Sequence, residues 1–267
     1  MAQDFARPRK SLGQNFLQDG NIIRKIVGSL SVKPDDVVVE IGPGRGALTE
    51  LIIPQAKETH LIEFDRDLVA YWLSRDDSGL EVHESDVLQF DFSQLTTKSS
   101  IKVIGNLPYN ISSPVLFHLL NYAERIETQV VMLQKEVVDR IAAEPGNKQY
   151  GRLSVMLQYR YEVENLFVVP PTAFFPKPKV DSAVARLTPR KKIEPVAEKL
   201  EDLSHLVKLA FSQRRKTLRN TLKSVLDSSQ IESVGIDPSA RAETLSVQDF
   251  VALANLLTRT GGGSHEQ

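Results

Sequence analysis

The sequence predicts an α/β chain: a parallel sheet covered by helices, followed by a smaller all-helical region. Three observations carry this expectation. Five short β-branched, apolar runs recur between residues 37 and 133, most of them ending in Gly, Asp or Asn. Stretches of helical period lie between some of them, the alternation expected of parallel strands joined by helical crossovers. After Pro189 the composition changes, and from about Pro195 to Arg259 the pattern is helical without a clear strand.

The elements follow in order. VVVEIG (37–42) is apolar without strict alternation, as in a strand buried on both faces. Ala47–Ile53 follows at helical spacing. HLIEFD (60–65) is the next strand and Leu68–Ser74 the next helix. LEVHESD (80–86), IKVIGN (101–106) and TQVVML (128–133) complete the set. VVPPTAFFPKPKV (168–180) is too rich in proline for a helix. VDSAVARLTP (180–189) alternates and reads as a further strand, and RKKIEP after it reads as a linker. The expected organisation is an α/β domain over 1–190, a helical domain over 191–260 and a disordered tail over 261–267.

Composition narrows the chemistry. Of 267 residues, 41% are apolar and 25% charged, ordinary for a soluble globular protein. No apolar run approaches the roughly 18 residues that span a bilayer. MAQDFARPRK lacks the apolar region of a signal peptide, so a cytoplasmic protein is expected. The absence of cysteine excludes disulfides, zinc–thiolate sites and thiol nucleophiles. GxxxxGK[ST], HExxH and GxSxG are absent too. A net charge of −1 conceals segregation: residues 1–33 carry +4, 34–189 carry −7, 190–226 carry +6 and 227–267 carry −4. Two basic segments flanking an acidic body suggest a localised surface for a polyanion.

The first strand runs into EIGPGRGALTE (40–50). Gly42, Gly44 and Gly46 allow a tight turn and close approach of backbone to a ligand, with a helix start behind them. Glu63 closes the second strand, where a carboxylate can accept both hydroxyls of a ribose, and Asp86 ends the third. In open α/β sheets these strand ends share one crevice. The spacing alone does not choose between this reading and a dinucleotide-binding dehydrogenase turn. The charges do: Glu40, Glu63, Asp65 and Asp86 rim the crevice, which suits a cationic cofactor without phosphate, such as S-adenosylmethionine.

GNLPYN (105–110) closes the fourth strand beside the same crevice. An adenine amine is a poor nucleophile because its lone pair is delocalised into the ring. Two acceptors on its hydrogens, the Asn106 side-chain oxygen and the Leu107 carbonyl, would localise that pair. Pro108 fixes the turn, and Tyr109 offers a face on which an unstacked base can lie, worth about 1–3 kcal/mol. Methylation of a pyrimidine ring carbon usually needs a cysteine, which the chain lacks, so an amino group is the better acceptor.

KLAFSQRRKTLRNTLKSVL (208–226) is the third feature. Phe211, Leu218, Leu222 and Val225 fall on one face of an expected helix, and no acid occurs between Leu203 and Leu226. Arg214, Arg215, Lys216 and Arg219 then form a surface for phosphates.

GQNFLQD (13–19), EIGPGRGALTE, IEFDRDL (62–68), GNLPYNIS (105–112), YGRLSVMLQY (150–159), FPKPKVDSAVARL (175–187), FSQRRKTLRNTL (211–222) and GIDPSARAETLSV (235–247) together resemble the bacterial small-subunit (16S) ribosomal RNA adenine dimethyltransferases. The resemblance runs from about residue 8 to 257. It implies a Rossmann-like domain with a seven-stranded, mostly parallel sheet and a small helical C-terminal domain. It implies dimethylation of two adjacent adenosines in a hairpin loop near the 3′ end of 16S rRNA, during small-subunit assembly, by a monomer. By motif, Asn15 and Leu17 would contact the cofactor, Gly42 its methionine part, Glu63 its ribose and Asp86 its adenine. Asn106 would lie between cofactor and base, with Tyr109 on one face of the base and Phe174 on the other. The family often has a small residue where Phe175 stands. Antibiotic-resistance methyltransferases of large-subunit rRNA share the QNFL and Asn-x-Pro-Tyr features; the two C-terminal motifs favour the small-subunit enzymes. A non-catalytic RNA-binding assembly or transcription factor on the same fold is the alternative of a different class, and a DNA adenine methyltransferase is a third reading.

Overall fold

The computed structural model describes Arg9 and residues 13–95 and 100–261; of the tail expected over 261–267, all but Gly261 lies outside them. The chain divides into two compact units. One runs to Val138 and resumes over Glu162–Pro189. The other takes Asp139–Tyr161 and the described residues from Arg190 onward.

In chain order the elements are β1 (Phe16–Leu17), α1 (Gly20–Leu30), β2 (Val37–Ile41), α2 (Thr49–Ile52), β3 (Glu58–Glu63), α3 (Arg66–Leu73), β4 (Leu80–Glu84), β5 (Ile101–Asn106), α4 (Ser112–Leu120), β6 (Ile126–Gln134), α5 (Lys135–Ile141), α6 (Arg152–Arg160), β7 (Tyr161–Val169), β8 (Phe174–Phe175) and β9 (Ser182–Pro189). Then come α7 (Leu200–Ala210), α8 (Leu218–Thr221), α9 (Ser228–Ser233) and α10 (Val247–Thr260).

Seven strands form one sheet in the order β4-β3-β2-β5-β6-β9-β7. The pairs from β4 through to β6 are parallel, and β9 returns antiparallel to β6 with Met132 opposite Val184. Every residue of β2 is buried, the mark of a strand covered on both faces. On one face α1 contributes Ile26, Val27 and Leu30 to a core shared with Val38, Ile104, Val130 and Val184. Asp19 starts α1 by accepting from the backbone N–H groups of Asn21 and Ile22, and Asp65 starts α3 in the same way from Asp67.

Two features depart from the expected order. β7 has no clean alternation, since Asn165 follows Glu164 before the run Leu166–Val169. β1 and β8 pair antiparallel as a ribbon of two residues each, Phe16 opposite Phe175 and Leu17 opposite Phe174, too short to show a period.

In the second unit α7 packs on α10, burying Leu203, Leu206 and Val207 with Phe250, Leu253 and Leu257. Buried Asp202 accepts a hydrogen bond from the Thr258 hydroxyl at 2.6 Å. α6 joins this pair through a face that includes Leu153, Met156 and Leu157. The expectation of a single boundary near 190 therefore needs correcting: residues 139–161 belong with the helical unit. A helix after a strand reads as one more crossover, which hid this in the sequence.

The expected helix over 208–226 is also broken. α7 ends at Ala210, and regular helix resumes only at Leu218. The N–H groups of Leu218 and Arg219 bond to the carbonyls of Ala240 and Pro238, at 2.9 and 3.0 Å. The like charges Arg215, Arg219 and Lys223, four apart, disfavour a continuous helix as well. Leu218, Leu222 and Leu226 are nonetheless buried, Phe211 and Val225 partly so. Among the described residues no helix is long and apolar enough to cross a membrane.

Candidate active site

β2 lies where the order of the sheet reverses, with β3 and β4 on one side and β5 and β6 on the other. The carboxyl ends of β2 to β5 meet in one cavity of about 270 Å³. It is lined by Gly42 and Gly44, by Glu63, by Asp86, and by Asn106, Leu107, Pro108 and Tyr109. Asn15 and Leu17 close it from the β1 side. The structure thus brings together ten residues that the sequence scatters from 15 to 109.

The turn after β2 has an inner and an outer side. Gly46 has φ +88°, and a Cβ there would lie 2.8 Å from the buried ring of Trp72. Trp72 also donates its indole N–H to the Gly44 carbonyl at 3.1 Å. Gly42, with φ +66°, faces open space, so a Cβ would enter the cavity rather than the protein. The turn is held from behind and left bare in front.

Glu63 is buried and anchored. One oxygen accepts from the N–H groups of Phe64 and Asp65, at 2.8 and 2.9 Å, and the other from that of Gly44 at 3.2 Å. Burial raises its pKa, against the pull of these N–H groups. Asp86 uses one oxygen to accept from the Leu88 N–H at 2.9 Å. Glu40 is 2% exposed and accepts from the Thr49 hydroxyl at 2.7 Å. Burial pushes its pKa up to about 8, with the neighbouring Glu63 and Glu50 charges adding to the effect. Glu40 is therefore neutral at pH 7 unless a cation comes beside it.

Asp65 does not serve the rim as expected. Its oxygens take the Arg9 guanidinium at 2.9 Å, the Gln14 amide at 2.9 Å and the Asp67 N–H at 3.1 Å. It clasps the N-terminal segment that carries Asn15 and Leu17.

At the end of β5 the Asn106 amide donates to the Asn15 carbonyl at 3.0 Å, which leaves its oxygen as the atom with acceptor capacity. The Leu107 N–H is bonded to the Met132 carbonyl at 3.1 Å, and among the described residues the Leu107 carbonyl meets no donor. The Pro108 carbonyl accepts from the Ile111 N–H and the Ser112 hydroxyl, closing the turn. The Tyr109 hydroxyl is 2.6 Å from the Ser182 hydroxyl. Burial raises the Tyr109 pKa and the Ser182 contact opposes this, so the ring is a neutral platform.

Phe174 is not an open stacking face here. It is 2% exposed and packed with Leu17, Ala173 and Val169 in the core. Phe175 is 54% exposed and lies opposite Phe16 in the two-stranded ribbon. Alternation along a strand sends one of two successive rings inward and the other outward.

The basic residues lie in the other unit. Arg214, Arg215 and Lys216 occupy the turn between α7 and α8, and Arg219 lies on α8; all are exposed. Arg214 bonds to Glu243 at 3.1 Å and to the Lys148 carbonyl, so its guanidinium serves the fold of this unit. Arg215, Lys216 and Arg219 hold their charges at the surface of this unit.

Sequence reasoning missed Phe16, whose ring packs beside Gly44 and under Arg45, with 4.5 Å from guanidinium to ring centre. It missed Ser182 and the exposed Phe64, which also lines the cavity. Only FPKPKVDSAV and IEFDRDL, as motifs, pointed toward the last two.

The residues present fit S-adenosylmethionine. Three carboxyl groups, Glu40, Glu63 and Asp86, line the cavity, and among the described residues Arg45 is the one cation in its lining. A phosphate-bearing cofactor would need the opposite balance. The open side of Gly42 gives a cradle that any other side chain would fill.

The family model described as "Ribosomal RNA adenine dimethylase" matches residues 6–259. Relatives named "Ribosomal RNA small subunit methyltransferase A" include one from Laribacter hongkongensis, 51% identical over 93% of this chain and 95% of that protein. Another, from Chromobacterium violaceum, is 49% identical over 95% and 97%. Among solved structures, a dimethyladenosine transferase from Plasmodium falciparum superposes with a TM-score of 0.78 at 27% identity, covering 93% of this chain and 98% of that one. The 23S rRNA methyltransferase ErmE gives 0.69 at 27% identity, covering 91% and 100%.

Proposed function

The chain belongs to the ribosomal RNA adenine dimethylase family, and from that premise we propose how its residues divide the work and which RNA they act on. The protein is an S-adenosylmethionine-dependent rRNA adenine dimethyltransferase. Its substrate is the small-subunit RNA, 16S rRNA in the particle or its precursor, as the names of its half-identical relatives suggest. The target is a pair of adjacent adenosines in the 3′-terminal hairpin loop. The enzyme works as a cytoplasmic monomer.

S-adenosylmethionine, when bound, supplies a methyl group on a cationic sulfonium. Gly42 and Gly44 give it backbone access, Glu63 meets its ribose, Asp86 its adenine, and Asn15 and Leu17 cover it. The target adenine lies on Tyr109. The Asn106 oxygen and the Leu107 carbonyl accept the two hydrogens of its amine, which turns the nitrogen lone pair out of the ring's conjugation. Positioning then supplies most of the rate, and no general base is needed, because the cationic product amine loses its proton to water readily. Arg215, Lys216 and Arg219 of the helical unit bind RNA phosphates.

The observation that carries this reading is the Asn106 amide. Its N–H points to the Asn15 carbonyl, so its oxygen is the group presented for an amine.

The test uses labelled S-adenosylmethionine and small ribosomal subunits from a strain lacking this modification, with methyl groups mapped by primer extension. Two adjacent dimethylated adenosines near the 16S 3′ end are expected. Tight binding to the same particles with no incorporation would favour a non-catalytic assembly factor. Methylation of large-subunit RNA instead would redirect the substrate.

A further inference from the structure

Away from the cavity, on the flank of the sheet, three side chains converge. β4 is the edge strand and pairs in parallel with β3, with His60 beside Glu81 and Ile62 beside His83. Residues two apart share a face of a strand, so His60, Glu81 and His83 stand on one face. His60 Nδ1 is 3.1 Å from His83 Nε2 and 3.4 Å from Glu81 Oε2. Among the described residues no other three His or carboxylate side chains bring ligand atoms so close together.

We propose that His60, His83 and Glu81 form a site for a divalent transition-metal ion, Zn²⁺ by preference, that clamps the edge strand β4 to β3. Two imidazoles and one carboxylate are a donor set suited to zinc and unsuited to magnesium or calcium. A tetrahedral ion about 2.0–2.1 Å from each ligand separates neighbouring ligand atoms by about 3.3–3.4 Å; the two distances at His60 are close to this, and the exposed Glu81 would move in to close the third edge, all three atoms lying within 4.8 Å of one another.

A plain hydrogen bond between the two imidazoles is the competing account. It explains the 3.1 Å separation but leaves unused the Glu81 oxygen that lies 3.4 Å from the same His60 Nδ1. That ring is 4% exposed, and its Nε2 has no hydrogen-bond partner. The nearest carboxylate oxygen there, of Glu58, is 3.8 Å away. Coordination through Nδ1 places the ring proton on Nε2, facing Glu58, the arrangement usual behind a metal-bound histidine. The His83 ring is held edge-on against Phe90, with centroids 5.1 Å apart.

The site is separate from the carboxylates of the cavity, yet β3 ends in Glu63 and β4 leads into Asp86. A clamp between these strands would hold both ends in register.

The experiment uses the full chain, stripped of metal with chelator and titrated with zinc chloride by calorimetry and by thermal unfolding. One Zn²⁺ per chain and a raised melting temperature are expected, with magnesium chloride giving neither. Cobalt(II) should give the visible absorption of a tetrahedral site. Glu81→Gln, at an exposed position that leaves the fold intact, should weaken zinc binding at least tenfold, and His83→Gln more. No stoichiometric zinc binding overturns the proposal. So does binding that both variants retain at wild-type affinity.

Discussion

Glu40→Gln isolates the buried carboxyl in the lining of the cavity. The wild-type group has its pKa raised from 4.5 to about 8. A raised carboxyl holds its proton more tightly in the folded chain than in the unfolded one. The stability this gives is complete below pH 4.5 and is lost as pH rises through 8. At 1.36 kcal/mol per unit, the loss between pH 6 and 9 is roughly 3 kcal/mol. At about 2–4 °C per kcal/mol that corresponds to a fall of roughly 6–12 °C in Tm. Gln keeps an acceptor for the Thr49 hydroxyl and carries no charge, so the variant should lack this component. The difference in Tm, variant minus wild type, should widen by about that amount from pH 6 to 9. Binding has the opposite sign. A cationic cofactor lowers the carboxyl's pKa, so binding releases a proton, and wild-type affinity should gain on the variant up to about tenfold per unit as pH rises toward 8. Calorimetry in two buffers of different ionisation enthalpy measures the proton directly. The comparison must be a ratio, because the amino group of S-adenosylmethionine titrates in the same window. Parallel melting curves and a constant affinity ratio would refute the assignment of Glu40 as the proton-linked partner of the cation.

Three further outcomes follow from the site. Asn106→Ala should lower kcat for methyl transfer by roughly 10²–10³-fold with circular dichroism unchanged, and full methylation would defeat the proposed acceptor role. Phe174→Ala should cost roughly 3–5 kcal/mol of stability in urea unfolding, since it empties core, whereas Phe175→Ala should cost well under 1 kcal/mol and weaken RNA binding; equal stability losses would contradict the division between the rings. Replacing Arg215, Lys216 and Arg219 together by Ala should reduce the slope of log K against log salt for RNA by about 2–3, leaving cofactor affinity unaltered. An unchanged slope would remove these residues from the RNA surface.

Much of the first unit was legible because its strands are buried on both faces. Val37–Ile41, Ile101–Asn106 and Ile126–Gln134 show as apolar runs whatever surrounds them. Gly42, Glu63, Asp86 and Asn106 were legible for a topological reason: parallel strands deliver their carboxyl ends to one side, so a residue that ends a strand belongs to the crevice. What the sequence hid depends on pairing between distant segments. Which of Phe174 and Phe175 is buried follows from register with Phe16 and Leu17, more than 150 residues earlier. The break after Ala210 follows from backbone bonds to Pro238 and Ala240, and the weak repulsion among Arg215, Arg219 and Lys223 was too small a local signal to place it. Asp65 looked like its neighbour Glu63, and only the Arg9 and Gln14 contacts assign it to a clasp.

That clasp bears on the chemistry. Asn15 and Leu17 lie on a segment fixed at one end by Arg9 and Gln14 on Asp65, and at the other by the two-residue ribbon with Phe174 and Phe175. Between these anchors the Asn15 carbonyl accepts the Asn106 amide. An isolated amide can present either its NH₂ or its oxygen to an incoming amine, and only the oxygen polarises the lone pair. In the proposed mechanism, the segment over the cofactor therefore also selects which end of Asn106 faces the base. Preorganised acceptors contribute to rate because they need no reorientation during the reaction. It follows that loosening residues 9–17 should impair methyl transfer even where cofactor affinity survives, for the Asn106 amide would then be free to turn.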